Sequence, residues 1–267
     1  MSERDSYEPG TPSWVDHASG DPAGAVAFYG ALFGWTTQDR MPPDAPGHYF
    51  MCELRGREVA AVGSHPEEGA QPVWNTYVAV ADADAAAERA RTAGGTVLDG
   101  PFDVFEAGRM AVVRDPGGAV VFLWQAKLMP GARLVDEPGA LCWNELTTRD
   151  VDGSIAFYRE LFGWRAVQLD MGGTRYFTFH LDGDEQPDPQ SAIAGLMPME
   201  GEMWPAELPP HWMVYFAVEG ADATAARASE LGGGTAVAPF DTPAGRIAVL
   251  NDPLGAVFSV IELPAGG

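Results

Sequence analysis

Basic residues are scarce in this chain of 267 residues: 16 Lys and Arg stand against 38 Asp and Glu, a formal charge of −22. A surface that neutralises phosphates must be rich in Lys and Arg, so nucleic acid and anionic membranes are not expected partners. The acidity reads as a solvated surface. Cysteine is scarcer still. Cys52 and Cys142 supply neither a disulfide framework nor a CxxC metal pair, and both lie in apolar, strand-like runs as small core residues. No stretch approaches the roughly 18 apolar residues that span a bilayer. The opening MSERDSYEPG has neither the basic segment nor the apolar run of a secretory signal, so a reducing cytoplasm is the expected location. A Gly-rich phosphate loop with its Lys, a dinucleotide fingerprint and a Ser–His–Asp order are also missing.

What is present is a duplication. FYGALFGW, Phe28 to Trp35, returns as FYRELFGW, Phe157 to Trp164, with six of eight letters identical. Before the first copy, Asp21 is placed to cap a helix and Pro22 to open it. Val26, Tyr29 and Phe33 then share one stripe, and Gly34 stops the helix. Strands are expected at 14–19, 48–54 and 57–63. A second round follows, with a strand at 74–80 and a helix from an Asp82 cap to Ala93. Strands near 96–98, 109–114 and 119–125 complete it, the last two joined by the Asp115–Gly118 turn.

The same order restarts in the second half. Phe28 matches Phe157 (157 − 28 = 129), Tyr77 matches Tyr215 (138) and Arg109 matches Arg246 (137). The jump puts about nine extra residues into the polar, Pro-rich stretch 182–210, a candidate lid. Repeats of this kind predict an α+β protein of two tandem domains. Each domain is two paired βαβββ units forming a curved, partly closed sheet around a cavity. The expected boundaries are a flexible arm at 1–12, domain 1 at 13–126, a linker at 127–138 and domain 2 at 139–264.

Asp21-Pro22 with FY-x-x-LFGW, Asp150 with its own FY-x-x-LFGW, and the turns DPGG (115–118) and DPLG (252–255) resemble the vicinal oxygen chelate superfamily. That group includes glyoxalase I, bleomycin-resistance proteins, fosfomycin-resistance enzymes and extradiol dioxygenases. The chain is most similar to two-domain glyoxalase-like proteins of actinobacterial type. The resemblance implies a metal ligand 14 residues before the Phe of each FY pair, a second on the strand opening the next unit, and a third four residues after the Gly that closes the late turn. Those positions hold Trp14, Asn75 and Phe122 in domain 1, and Trp143, Met213 and Ser259 in domain 2. None offers the imidazole or carboxylate that a divalent first-row metal needs. The expectation is therefore no metal and no other cofactor. Asp16 and Glu145 lie two residues beyond the lost first ligand, on the same strand face. His211 lies two before Met213, whereas Glu262 falls on the opposite face.

Alternation places Trp14, Asp16, Asn75, Tyr77, Phe122 and Trp124 inward in domain 1. Trp143, Glu145, Thr147, Met213, Tyr215 and Ser259 face inward in domain 2, with Trp204 on the nearby long loop. Aromatic walls with one carboxylate suit a small-molecule ligand. One reading is a metal-free binding protein for a largely aromatic or apolar molecule, serving sequestration, natural-product metabolism or resistance. The alternative is a lyase, isomerase or oxygenase acting on a carbonyl or phenolic substrate. There Glu145 is the base, with a rearranged metal site as a variant, and Tyr215 or His211 steadies an oxyanion. In a third reading both domains are filled and structural. A monomer is expected, with a homodimer as the alternative.

Overall fold

A computed structural model of the chain describes residues 2–65, 67, 69–170, 175–181, 191–202 and 204–263. The first unit runs β1 (Pro12–Ser19), α1 (Pro22–Phe33), β2 (Thr36–Asp39), β3 (Tyr49–Leu54) and β4 (Arg57–Ser64). The second runs β5 (Val73–Ala79), α2 (Ala83–Thr92), β6 (Thr96–Val104), β7 (Gly108–Arg114) and β8 (Val120–Ala126). The third unit is β9 (Leu141–Thr148), α3 (Val151–Phe162), β10 (Arg165–Asp170), β11 (Arg175–His180) and β12 (Ala194–Pro198). The fourth is β13 (His211–Val218), α4 (Ala221–Glu230), β14 (Gly234–Thr242), β15 (Gly245–Asn251) and β16 (Val257–Glu262).

The α+β, two-domain architecture is borne out. The strands form two eight-stranded sheets, ordered β2-β3-β4-β1-β5-β8-β7-β6 and β10-β11-β12-β9-β13-β16-β15-β14. In each, the opening strands of the two units pair antiparallel at the centre, and the closing strands flank them in parallel. The strand that the βαβββ plan puts after the first helix, without bounds of its own, is β2. Its residues TTQD are all exposed, so it carries no apolar alternation to read.

The duplicated helices start and stop as their residues dictate. Asp21 and Asp150 accept from the amides of Gly24 and Gly153, and Gly34 and Gly163 both take the left-handed conformation at φ 77°. The side chains between them form the core, and that core is shared by the two domains. One cluster joins Phe28, Tyr29, Phe33 and Trp35 to Phe216, Phe258 and the alanines of α4. The other joins Phe157, Tyr158, Leu161 and Trp164 to Val78, Leu123 and the alanines of α2. The helical faces of the two sheets are thus packed against each other.

The first Phe, the Tyr and the Trp of each repeated motif reach across. Tyr29 Oη accepts from Trp74 Nε1 (2.9 Å) and donates to Asp252 Oδ2 (3.2 Å) in the other domain's turn. Tyr158 repeats this with Trp212 (2.9 Å) and Asp115 (3.1 Å). Trp35 Nε1 donates to the Gly139 carbonyl and Trp164 Nε1 to the Gly10 carbonyl, both at 2.7 Å. Phe157 and Phe28 press on Gly95 and Gly233, where an added Cβ would lie within 3.0 Å of the ring. A difference breaks the symmetry: His17, fully buried, sits 2.9 Å from Asp252, while its counterpart in the other domain is Leu146 (146 − 17 = 129).

Residues 2–12, read from the sequence as a flexible arm, run beside the linker. Glu3 bridges Leu134, Val135 N donates to the Ser2 carbonyl, and Tyr7 Oη donates to the Ala132 carbonyl at 2.6 Å. Arg57–Glu3 and Arg133–Asp5 ion pairs lie along the same strap. The extra residues assigned to a candidate lid fall largely on 182–190, outside the described residues; the later part of that stretch includes β12.

Candidate functional site

The face of each sheet turned away from the helices carries the residues expected to point inward. Neighbouring strands set them side by side: Asp16 is opposite Asn75, Trp14 opposite Tyr77, and Tyr77 beside Phe122. In the second sheet Glu145 is opposite Met213, Trp143 opposite Tyr215, and Tyr215 beside Ser259. The counted ligand positions therefore converge in both domains, and they bring together indole, amide and phenyl in one, indole, thioether and hydroxyl in the other. That donor set does not fit a divalent first-row cation. Among the described residues no group of three His, Cys, Asp or Glu side chains stands close enough to hold a metal.

In their place each domain has a buried carboxylate among tyrosines. Asp16 accepts from Tyr77 Oη (2.6 Å), Tyr49 Oη (3.2 Å) and Asn75 Nδ2 (2.8 Å), and Trp14 Nε1 donates to Tyr49 Oη (3.1 Å). Glu145 Oε1 accepts from Tyr215 Oη (2.8 Å), and Trp143 Nε1 donates to Tyr176 Oη (3.0 Å). The Tyr176 hydroxyl also acts on the Glu145 carboxyl. Burial pushes both carboxyls above the usual range, and the hydrogen-bonding hydroxyls, with the Asn75 amide at Asp16, pull the other way. Burial likewise raises the pKa of all four tyrosines, helped by the adjacent carboxylate.

Tyr49 and Tyr176 were not among the sequence candidates. Both stand near the start of the third strand of their unit, 21 and 19 residues after the FY pair. That mismatch hides them from the 129-residue register. The signal that would have found them is the aromatic pair HYF and RYF opening each strand.

A compensating exchange fits the two carboxylates to their sheets. The strand neighbour of Asp16 is Ala61, and that of Glu145 is Gly195. Glutamate adds one methylene and the glycine gives up one methyl. An added Cβ at Gly195 would collide with the Tyr176 hydroxyl and lie 2.8 Å from Trp143 Nε1. Only glycine lets that tyrosine swing over the sheet.

The inner faces differ in filling. In domain 1, Trp14, Met51, Tyr77 and Trp124 form a continuous buried cluster with Met110 and Phe122, capped by Met129, Ala132 and Val135 of the linker. Tyr77 packs on Phe122 with ring centroids 4.6 Å apart and the planes tilted by 39°, and Trp124 Nε1 donates to the Met129 carbonyl. In domain 2, Glu145 is 7% exposed, and Thr147, Tyr215 and Ser259 are buried with it. Trp143, Tyr176, Met197, Met213 and Val249 around them are only half-buried. Trp143 also borders a cleft of about 520 Å³ between the N-terminal strap and β9.

Two candidates stand apart from this group. His211 shares the inner face but pairs with Thr147, four residues from Tyr215 along β13, about 13 Å for an extended strand. Its Nδ1 contacts the Pro209 carbonyl at 2.9 Å, and burial lowers its pKa, so it is not placed to share an oxyanion with Tyr215. Trp204 is half-buried in a segment that Arg149 holds by the carbonyls of Pro205 and Leu208. No hydrogen bond or ring contact joins it to Glu145 among the described residues. Glu262 lies off the inner face as expected and accepts from the first amide of α4 at 3.0 Å.

Residues 12–123 match the family model of the Glyoxalase/Bleomycin resistance protein/Dioxygenase superfamily, and residues 141–261 match that of a Glyoxalase-like domain. The chain is 42% identical over 98% of each chain to the "Putative glyoxylase CFP32" of Mycobacterium tuberculosis. It is 38% identical to the "Anthracycline biosynthesis protein DnrV" of Streptomyces peucetius, over 97% of this chain and 96% of that one. Among solved structures, the Mn(II)-bound glyoxalase from Novosphingobium aromaticivorans superposes with a TM-score of 0.64 at 16% identity, covering 98% of this chain and 83% of that one. The 2,3-dioxygenase LapB from Pseudomonas sp. KL28 gives 0.64 at 14%, covering 97% and 96%. Duplicated units, sheet order, whole-length relatives and both domain models agree, and the chain belongs to the glyoxalase/bleomycin resistance protein/dioxygenase superfamily.

Proposed function

We propose that this protein binds a small, largely aromatic or apolar molecule on the inner face of domain 2, without a metal at the family's usual position, in natural-product metabolism or resistance. The observation that carries the reading is the buried Glu145–Tyr215 pair, beneath half-buried Trp143, Tyr176 and Met213. Apolar walls give affinity, and the sparse polar groups orient the ligand. The relatives named for anthracycline biosynthesis support a natural-product setting. Titration of tryptophan emission with planar aromatic metabolites, on protein purified without chelator and assayed for metal, tests it. Saturable quenching with substoichiometric metal is expected. Stoichiometric metal that is lost in Glu145→Ala would sink the metal-free part, and no quenching by any compound would leave only the structural reading.

A second reading rests on the same carboxyl. Burial holds Glu145 above the usual carboxylate range, where a base can take a proton from a carbon or phenol and return it. Tyr215, whose hydroxyl donates to that carboxylate, would turn its proton to the resulting oxyanion once Glu145 is protonated. Unchanged turnover in Glu145→Gln removes that role.

A further inference from the structure

The two inner faces are built on one plan, and a single exchange alters what the carboxylate of domain 2 can accept. Asp16 takes three hydrogen bonds: two tyrosine hydroxyls and the Asn75 amide, which donates to Oδ1 at 2.8 Å. Glu145 keeps both tyrosines, Tyr215 and Tyr176. The residue directly opposite it, where Asn75 stands opposite Asp16, is Met213. A thioether has no hydrogen to donate. A carboxylate offers about four acceptor positions, so a buried one with a missing donor carries an unfilled demand. The neighbouring exchange works in the same direction, since Ser259 replaces the phenyl ring of Phe122 that packs on Tyr77. Both changes remove from domain 2 the groups that close domain 1.

We propose that the missing third donor is supplied by the ligand: a planar aromatic molecule bearing a free O–H or N–H at its edge, directed at Glu145 across Met213. This deepens the proposed binding role and rests on it. The flat faces come from Trp143 and Tyr215, and the soft side chain of Met213 lies against the ring, where a thioether contact is favourable. An ether or N-methyl analogue of the same ring adds one methyl group, keeps the aromatic faces and leaves the demand of Glu145 unmet. Hydrogen bonds to charged groups discriminate more strongly than added apolar area does.

Calorimetric titration at neutral pH with two matched pairs tests this: naphthol against its methyl ether, and indole against N-methylindole. The wild-type protein is expected to bind the donor-bearing member of each pair about tenfold or more tightly. In Met213→Asn, which restores the donor found in domain 1, that ratio is expected to fall toward one. Equal binding of both members by the wild type overturns the inference and leaves the aromatic pocket standing. A preference that persists in folded Met213→Asn also overturns it. Binding of none of the four overturns the pocket and the inference together. Because the wild-type ratio decides the first question alone, a variant that fails to fold does not shield the proposal.

Discussion

Domain 1 and domain 2 place the same four groups on their inner faces: Trp, Tyr, a carboxylate and Tyr. They differ in what surrounds the carboxylate. Around Asp16 three donors are in place, and Trp14, Tyr77 and Trp124 are sealed by the linker that follows β8. Around Glu145 the corresponding amide and phenyl are a thioether and a hydroxyl, and the rim is half-buried. Asp16 is therefore a structural node closed in by its neighbours, and Glu145, whose neighbours differ, is the carboxylate to which the proposed function assigns the ligand.

The strongest way to break the comparison is to remove the node. Asp16→Ala leaves three donors without their acceptor inside a packed cluster. It is expected to cost about 3 kcal/mol or more, lowering the thermal midpoint by on the order of 10 °C for a chain of this size. Glu145→Ala, beneath a less buried rim, is expected to cost less than half of that in the same melting experiment. An equal loss in both would remove the distinction. Next is Gly195→Ala, which drives the Tyr176 hydroxyl from its place. About 1–3 kcal/mol is expected from overpacking, together with weaker aromatic binding by calorimetry. Restoring part of the affinity with Gly195→Ala/Tyr176→Phe would show that the clash, rather than the sheet, is responsible.

A smaller effect sharpens the electrostatic side. The folded pKa of Glu145 is raised, chiefly by burial. Its protonated form is therefore favoured by folding, and that contribution is complete at acid pH and lost as pH rises through the folded pKa. Glu145→Gln should melt close to wild type at acid pH and a few degrees higher at neutral pH. A pH-independent difference contradicts this. The smallest expected change is in acid. Burial raises the pKa of Asp252, but His17 and the amides of Leu254 and Ala256 outweigh it and hold the carboxyl below its usual value. Stability from that group is present above the unfolded carboxylate range and lost as pH falls through the folded pKa. His17→Leu, which copies Leu146, should move acid unfolding to higher pH by a few tenths of a unit to about one. Fluorescence-detected acid titration reads it.

The duplication made much of this legible. Counting from Phe28 and Phe157 located Trp14, Trp143, Asp16 and Glu145 on the correct faces, because strand alternation and helix length are local properties. What crosses between elements was not legible. FY-x-x-LFGW announces burial but not its partner, and nothing in the letters says that Tyr29 meets Asp252 rather than Asp115. Tyr49 and Tyr176 escaped because the hairpins that carry them differ by two residues. His211 was placed on the right face but too far along it, since alternation fixes side and not distance. The bounds of the polar β2 escaped for want of any pattern.

The crosswise core has a consequence for how the molecule comes apart. Tyr29, Trp35 and Phe28 each make a buried contact with the opposite half, as do Tyr158, Trp164 and Phe157. Each half is thus the other's solvent shield. Neither can melt while its partner stays native, so denaturation should be a single cooperative step rather than two. A half severed at the linker would present a sheet and two helices coated with aromatic rings to water. Two such fragments, mixed, hold everything needed to find each other again.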